Sequence, residues 1–177
     1  MRLWQAYTRA LHRHPVLVKA TTSGMTFGTT DMIAQARRDE AWDSWQTLRN
    51  SSFGFCWLGP SNHLFWGRRV GLERWFPGST WRAAFTRMVV DQSTAMPCNM
   101  AAFLAWPALT TGQGIEAATK RVEEHFVDSV SFALCIWPFV HPVSFKFVPL
   151  EHRLLVLNAC SLVTFSYATL VSGEAVR

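Results

Sequence analysis

Four long runs without a charged residue constrain the fold of this chain more than any other feature. Residues 50–67, 92–115, 129–145 and 154–173 contain no Asp, Glu, Lys or Arg over 18, 24, 17 and 20 residues. A membrane-spanning helix needs about 20 mostly apolar residues, with a range of about 17–25. Four such runs in a chain of 177 residues favour a helical membrane protein over a soluble helical domain.

The composition agrees with this class. Charged residues make up 16% of the chain, against roughly 25% in soluble proteins, and nine residues are Trp. The net charge is +5, but the basic residues are scattered between apolar runs and form no continuous basic face. We therefore expect a lipid bilayer and no nucleic acid as partner. The mean hydropathy is only +0.08 because the runs carry Ser, Thr, Asn and Gly, so the spans should have polar faces.

The first 35 residues predict two further helices. Residues 15–35 form a candidate span with Lys19 near its start, where a long side chain can snorkel to the interface, and Asp31 near its end. Residues 1–14 contain three Arg and no acid, and their apolar residues recur near helical spacing. This amphipathic start is typical of an interfacial helix and of a mitochondrial import signal, and the two are not exclusive.

The sequence thus predicts an all-α integral membrane bundle, forming one domain over residues 1–177. The predicted elements are an amphipathic start at 1–14, spans at about 15–35, 50–67, 89–109 and 128–146, and a last apolar helix at 154–172. Whether that last helix also crosses the membrane decides between four and five spans.

Small and polar residues form stripes on three of these segments. Gly24, Gly28, Asp31 and Gln35 share one helical face, and the GxxxG pair lets a second helix approach closely. A second face carries residues 52, 56, 59 and 63. A third begins at Asp91 and continues through Ala95, Cys98, Ala102 and Ala105. Such stripes predict either tight packing of these helices against one another or a narrow water-filled path between them. The candidate interior polar residues are Asp31, Gln35, His63, Asp91, Gln92 and His141.

Prolines and one acid carry specific expectations. Pro60 and Pro97 predict kinks, because each lacks an N–H and clashes with the carbonyl four residues earlier. Asp91 should point into the bundle, toward Asp31, His63 or a basic residue such as Arg87, since charges inside a membrane are costly.

Signals of catalysis are weak. No GxSxG, HExxH or phosphate-cradling glycine loop occurs, and the His residues lack metal-ligand spacing. We therefore predict no catalytic, cofactor or metal site and no enzymatic activity. The four Cys form no CxxC pair and are expected to be buried free thiols.

Residues 137–153, WPFVHPVSFKFVPLEHR, resemble the C-terminal signature of the Mpv-seventeen-like family. The matching positions are Trp137, Pro138, Phe145, Val148, Pro149, Leu150 and Arg153. DMIAQ at 31–35, GFCWLGPSNHLFW at 54–66, FPG at 76–78 and DQSTAMPC at 91–98 resemble further family blocks in the same order. His141 stands where the family usually has Gln, Ser144 where it has Asn, and Thr164 where it has Trp.

The resemblance implies a small helical membrane protein of mitochondria or peroxisomes. Together with the acid-free, Arg-bearing start of the chain, it predicts the mitochondrial inner membrane, with the peroxisomal membrane as the alternative. It also implies a link to organelle metabolite homeostasis, and some members of the family are described as channels for small solutes. The leading hypothesis is a pore or pore subunit for small solutes. A non-transporting scaffold or assembly factor is the alternative, and self-association into a homo-oligomer is compatible with both.

Overall fold

The computed structural model describes residues 2–37, 41–67, 69 and 71–172, and these residues contain helices and no strand. The elements are α1 (Arg2–Arg13), α2 (Pro15–Gln35), α3 (Ser44–Phe53), a π-helical turn (Gly54–Leu58), α4 (Gly59–Phe65), α5 (Leu72–Trp75), α6 (Trp81–Ser93), α7 (Ala95–Thr110), α8 (Gly114–Phe147) and α9 (Leu150–Ser172). The predicted all-α class is confirmed. The chain forms two compact units, Met1–His63 with Leu154–Arg177 and Leu64–Arg153.

Glycines set the packing of the first unit. Helix α2 lies against α3 and the π-helical turn. A Cβ added to Gly54 would lie 2.5 Å from the carbonyl oxygen of Ser23, and one added to Gly28 would collide with the Ser51 hydroxyl. A Cβ added to Gly24 would lie 3.1 Å from the Ser51 carbonyl oxygen. The predicted GxxxG seam is therefore where a neighbouring backbone approaches α2.

The π-helical turn changes the face that its helix buries. It ends at Leu58, two residues before Pro60, and its wider turn accommodates a residue that has no N–H. The predicted stripe through residues 52, 56, 59 and 63 is wrong in part, because Cys56 is exposed while Gly54 and Asn62 are buried. The extra residue of a π turn rotates the helix past the period of 3.6 that the prediction assumed.

The predicted helix over 89–109 is interrupted. Helix α6 ends at Ser93, Thr94 leaves the helical conformation (φ −128°, ψ −71°), and α7 begins at Ala95. Pro97 thus occupies the first turn of α7, where its missing N–H costs no helical bond. The small-residue stripe expected to continue from Asp91 ends at this break, and α7 instead buries Leu104 and Ala108.

Helix α8 is longer than predicted and passes through two prolines. It runs for 34 residues and contains Pro138 and Pro142 in its interior. A turn at Val148 and Pro149 follows, and the Pro149 carbonyl accepts the first backbone hydrogen bonds of α9, from His152 and Arg153. Within the described ranges, Gly114–Phe147 is the one helix whose length and hydropathy suffice to cross a membrane.

Both units bury polar side chains and expose large apolar ones. Exposed apolar residues include Leu17, Met25, Trp45, Leu64, Phe85, Val127, Phe139 and Phe147. Cys56, Cys98 and Cys135 are exposed and Cys160 is partly so, which corrects the expectation of buried thiols. Lys19 is only 6% exposed, so it does not snorkel outward as predicted.

Candidate functional site

Asp31 lies at the centre of a polar cluster in the first unit. Its Oδ1 accepts hydrogen bonds from Gln46 Nε2 (2.6 Å) and Asn50 Nδ2 (2.9 Å), and its Oδ2 accepts from Gln35 Nε2 (2.7 Å) and the Thr47 hydroxyl (2.6 Å). Four donors match the four lone-pair sites of a carboxylate. Three of the donors come from α3, so the acid joins α2 to α3 with no acceptor capacity left over.

Gln35 continues this cluster to the start of α3. Its Oε1 accepts from the Asp43 backbone N–H (2.7 Å), and its Nε2 also donates to the Asp43 carbonyl (2.9 Å). The Asp43 side chain caps α3 by accepting from the N–H groups of Trp45 and Gln46. These backbone donors, the Gln46 N–H first, lower the pKa of the exposed Asp43 carboxyl, and Arg49 adds to the effect.

Asp91 lies at the centre of a polar cluster in the second unit and is 2% exposed. The Trp66 indole Nε1 donates to its Oδ1 (2.7 Å), and Gln92 Nε2 donates to its Oδ2 (3.1 Å). His141 Nδ1 lies 3.1 Å from the same Oδ2, a close polar contact without hydrogen-bond alignment. An acid on α6 thus faces an imidazole on α8.

Aromatic rings surround the imidazole of His141. The rings of Trp66, Trp137 and Phe145 stand edge-on to it at centroid distances of 6.0, 5.3 and 5.3 Å. Three buried atoms in this region, Gln92 Oε1, His141 Nδ1 and Ser144 Oγ, have no hydrogen-bond partner within the described part of the chain. The second unit therefore has unused polar capacity, whereas the Asp31 carboxylate is saturated.

A buried ion cluster lies next to Phe145. Glu73 Oε1 is 3.1 Å from Arg87 Nη1 and 2.9 Å from Arg153 Nη2. Arg87 also donates to the carbonyls of Phe76 and Gly78, and the Arg153 guanidinium stacks over the Phe145 ring at 4.8 Å. Two guanidiniums thus share one carboxylate, although both arginines are no more than 2% exposed.

The structure buries five of the six candidate interior residues: Asp31, Gln35, Asp91, Gln92 and His141. His63 is only partly buried. Arg87 was predicted as a partner for Asp91, which lies one helical turn further along α6. It binds Glu73 instead. Asp31 and His63 belong to the other unit. The Pro149 carbonyl accepts the first backbone hydrogen bonds of α9, and the Trp137 ring packs on His141.

Sequence reasoning missed Glu73, Trp66 as a donor, and the three α3 side chains that bind Asp31. Glu73 is flanked by arginines in a stretch that has the composition of a solvated loop. Its one available signal is that no other acid occurs between Asp43 and Asp91. The α3 donors follow Asp31 by 15–19 residues, the separation expected for two antiparallel neighbours joined by a short loop.

An all-α chain that buries carboxylates, guanidiniums and amides while exposing Trp, Phe and Leu has the polarity distribution of a membrane protein. Residues 108–168 match the Mpv17 / PMP22 family. The chain is 32% identical to the Mitochondrial inner membrane protein Mpv17 of Bos taurus over 171 residues, covering 94% of this chain and 96% of that protein. The Xenopus laevis protein of the same name is 31% identical over 93% and 94%.

The PXMP2/4 family protein 4 of Dictyostelium discoideum is 26% identical over 88% of this chain and 85% of that protein. No solved structure matches the chain. The chain belongs to the Mpv17/PMP22 family of organelle membrane proteins. The names of its relatives confirm the predicted mitochondrial inner membrane location, and the Dictyostelium relative fits the peroxisomal alternative.

Proposed function

We propose that the chain crosses the inner mitochondrial membrane at least four times and forms, alone or as several copies, a pore for small solutes. Four helical stretches support the crossings: α2, the continuous run from α3 through α4, the α6–α7 pair and α8. Each exposes large apolar side chains, for example Met25, Phe55, Val89 and Phe139. Helix α9 is the fifth candidate.

Membrane integration gives the first test. Because the exposed apolar side chains occur on every long helix, alkaline carbonate washing of isolated mitochondria should leave the protein in the membrane pellet. An extrinsic matrix protein, followed in the same samples, should be released. Recovery of this chain in the carbonate supernatant would contradict the whole multispanning proposal.

The observation that carries the pore is the unused polar capacity near Asp91 and His141. Polar and ionisable groups at membrane depth are costly and tend to mark solute or ion paths. Helix packing alone does not explain why Gln92 Oε1 and Ser144 Oγ are buried without a hydrogen-bond partner in the described ranges. Buried polar atoms of this kind normally bind water or a ligand.

Conductance of the purified full-length protein in planar bilayers tests the pore, and Asp91→Asn tests its route. Removing one negative charge from the path should weaken cation preference. We expect the reversal potential to move on the order of 10 mV toward anion preference, against a limit of about 59 mV for a tenfold monovalent gradient.

Asp128→Asn is the matched control, because Asp128 is exposed on α8 and the change removes the same charge. It should leave the reversal potential unchanged. A silent wild-type protein would contradict the pore, while an unchanged reversal potential in folded Asp91→Asn would exclude Asp91 from the route. Trp fluorescence checks the fold of both variants.

A scaffold is the second candidate, and the saturated Asp31 cluster favours it. Four donors leave this carboxylate no capacity for a passing solute, so its role is to join α2 and α3. Glycines reinforce the same seam. A silent protein that remains folded and membrane-bound would support this function.

A further inference from the structure

The C-terminal end of α8 presents a lysine between aromatic rings. Lys146 is the first charged residue after 17 uncharged positions, so it lies at the end of the apolar part of α8. Its Nζ lies 5.1 Å from the centroid of Trp81 and 5.6 Å from that of Phe147, and it donates to the Ser79 carbonyl (3.0 Å). One of its three N–H groups is used by that hydrogen bond.

Trp81, whose ring Lys146 contacts, belongs to a stretch of the chain, residues 69–82, that carries three arginines and a second tryptophan. Arg69, Arg74 and Arg82 are exposed, and Arg74 Nη1 donates to the Arg69 carbonyl (2.7 Å), which holds the two arginines together. Trp75 and Trp81 are 55% and 45% exposed. We call these two Trp, the three Arg and Lys146 the basic rim.

The sequence around the basic rim carries more basic than acidic residues. Residues 69–87 and 146–153 contain six Lys or Arg and two carboxylates. Glu73 is held between the buried Arg87 and Arg153. Glu151 lies in the first turn of α9. The surface therefore keeps a net positive charge and complements an anionic partner.

We propose that the basic rim binds the phosphate of an anionic phospholipid at the bilayer surface. The chain is a membrane protein, and Trp residues beside Lys and Arg at the end of an apolar helix are the usual membrane-interface anchors. Basic sites at helix ends bind anionic head groups, because the local charge attracts phosphate. The Arg82 guanidinium offers the planar fork for phosphate oxygens, and Lys146 offers a point charge.

The test measures retention of phosphatidylglycerol by the full-length protein in nanodiscs of phosphatidylcholine with an increasing phosphatidylglycerol fraction. Native mass spectrometry counts the bound lipid. Each cation near an anionic surface contributes roughly a factor of five in affinity, so Arg82→Gln/Lys146→Gln should bind phosphatidylglycerol about 25-fold more weakly. Arg37→Gln/Lys120→Gln removes the same charge from exposed positions outside the rim and should stay within about twofold of wild type.

Two further measurements test the proposal. Arg82→Lys/Lys146→Arg retains the charges and should retain the lipid. Equal retention of phosphatidylglycerol and phosphatidylcholine by wild type would overturn the proposal even if the double Gln variant failed to fold. Displacement of the lipid by millimolar inorganic phosphate would also overturn it, because the site would then bind free anions. Lipid retention needs no conduction, so this outcome is independent of the pore.

Discussion

Glu73→Gln is expected to lower the free energy of unfolding by about 3–5 kcal/mol, the usual cost of removing one partner from a buried ion cluster. The Glu73 carboxylate lies within 3.1 Å of both Arg87 and Arg153. Glutamine has nearly the same shape but no charge, so two buried guanidiniums would face each other without a counter-ion. Loss of Trp fluorescence in a thermal or denaturant titration of the detergent-solubilised protein measures the effect.

Glu124→Gln is the matched control for this substitution. Glu124 pairs with Lys120 on the exposed surface of α8, at 3.9 Å and with side chains 52% and 74% exposed. Exposed helical ion pairs contribute only about 0.3–0.5 kcal/mol, so this variant should unfold close to wild type. Equal stability of the two variants would show that the Glu73 cluster is not a buried ionic anchor.

Gly54→Val is expected to destabilise the first unit by about 3 kcal/mol, near the upper end of overpacking effects. A Cβ at this position would lie 2.5 Å from the Ser23 carbonyl oxygen and 2.8 Å from the Gly24 nitrogen. Both obstacles are backbone atoms of α2, which cannot rotate away as a flexible side chain could. Helices α2 and α3 would have to separate, and the Asp31 hydrogen bonds would lengthen with them.

Cys56→Val introduces the same β-branched residue two positions later in the π-helical turn, at an exposed site. It should change the free energy of unfolding by no more than about 0.5 kcal/mol. The comparison separates steric exclusion from the helix propensity of valine. If both variants unfolded at the same denaturant concentration, the close approach of α2 to the π-helical turn would be contradicted.

Periodicity and composition alone predicted the helical class, the bounds of α2 and the glycine seam, since these depend on residues three or four apart on one helix. The motif order also predicted the family, which the similarity of relatives over nearly the whole chain confirmed. The burial of Asp31 and Asp91 followed the same logic, because an acid on a small-residue face of an apolar helix must avoid lipid.

The partners of those acids were decided only by tertiary structure. Desolvation demands a partner for a buried acid, but it does not select one among several donors in other helices. Asp91 faces His141, 50 residues later, and Arg87 turns to Glu73 although it lies one turn from Asp91 on α6. The π-helical turn before Pro60 and the break at Thr94 each rotate the downstream helix out of its expected register. The local pattern predicted that the two acids avoid lipid, whereas helix packing decided which groups they meet.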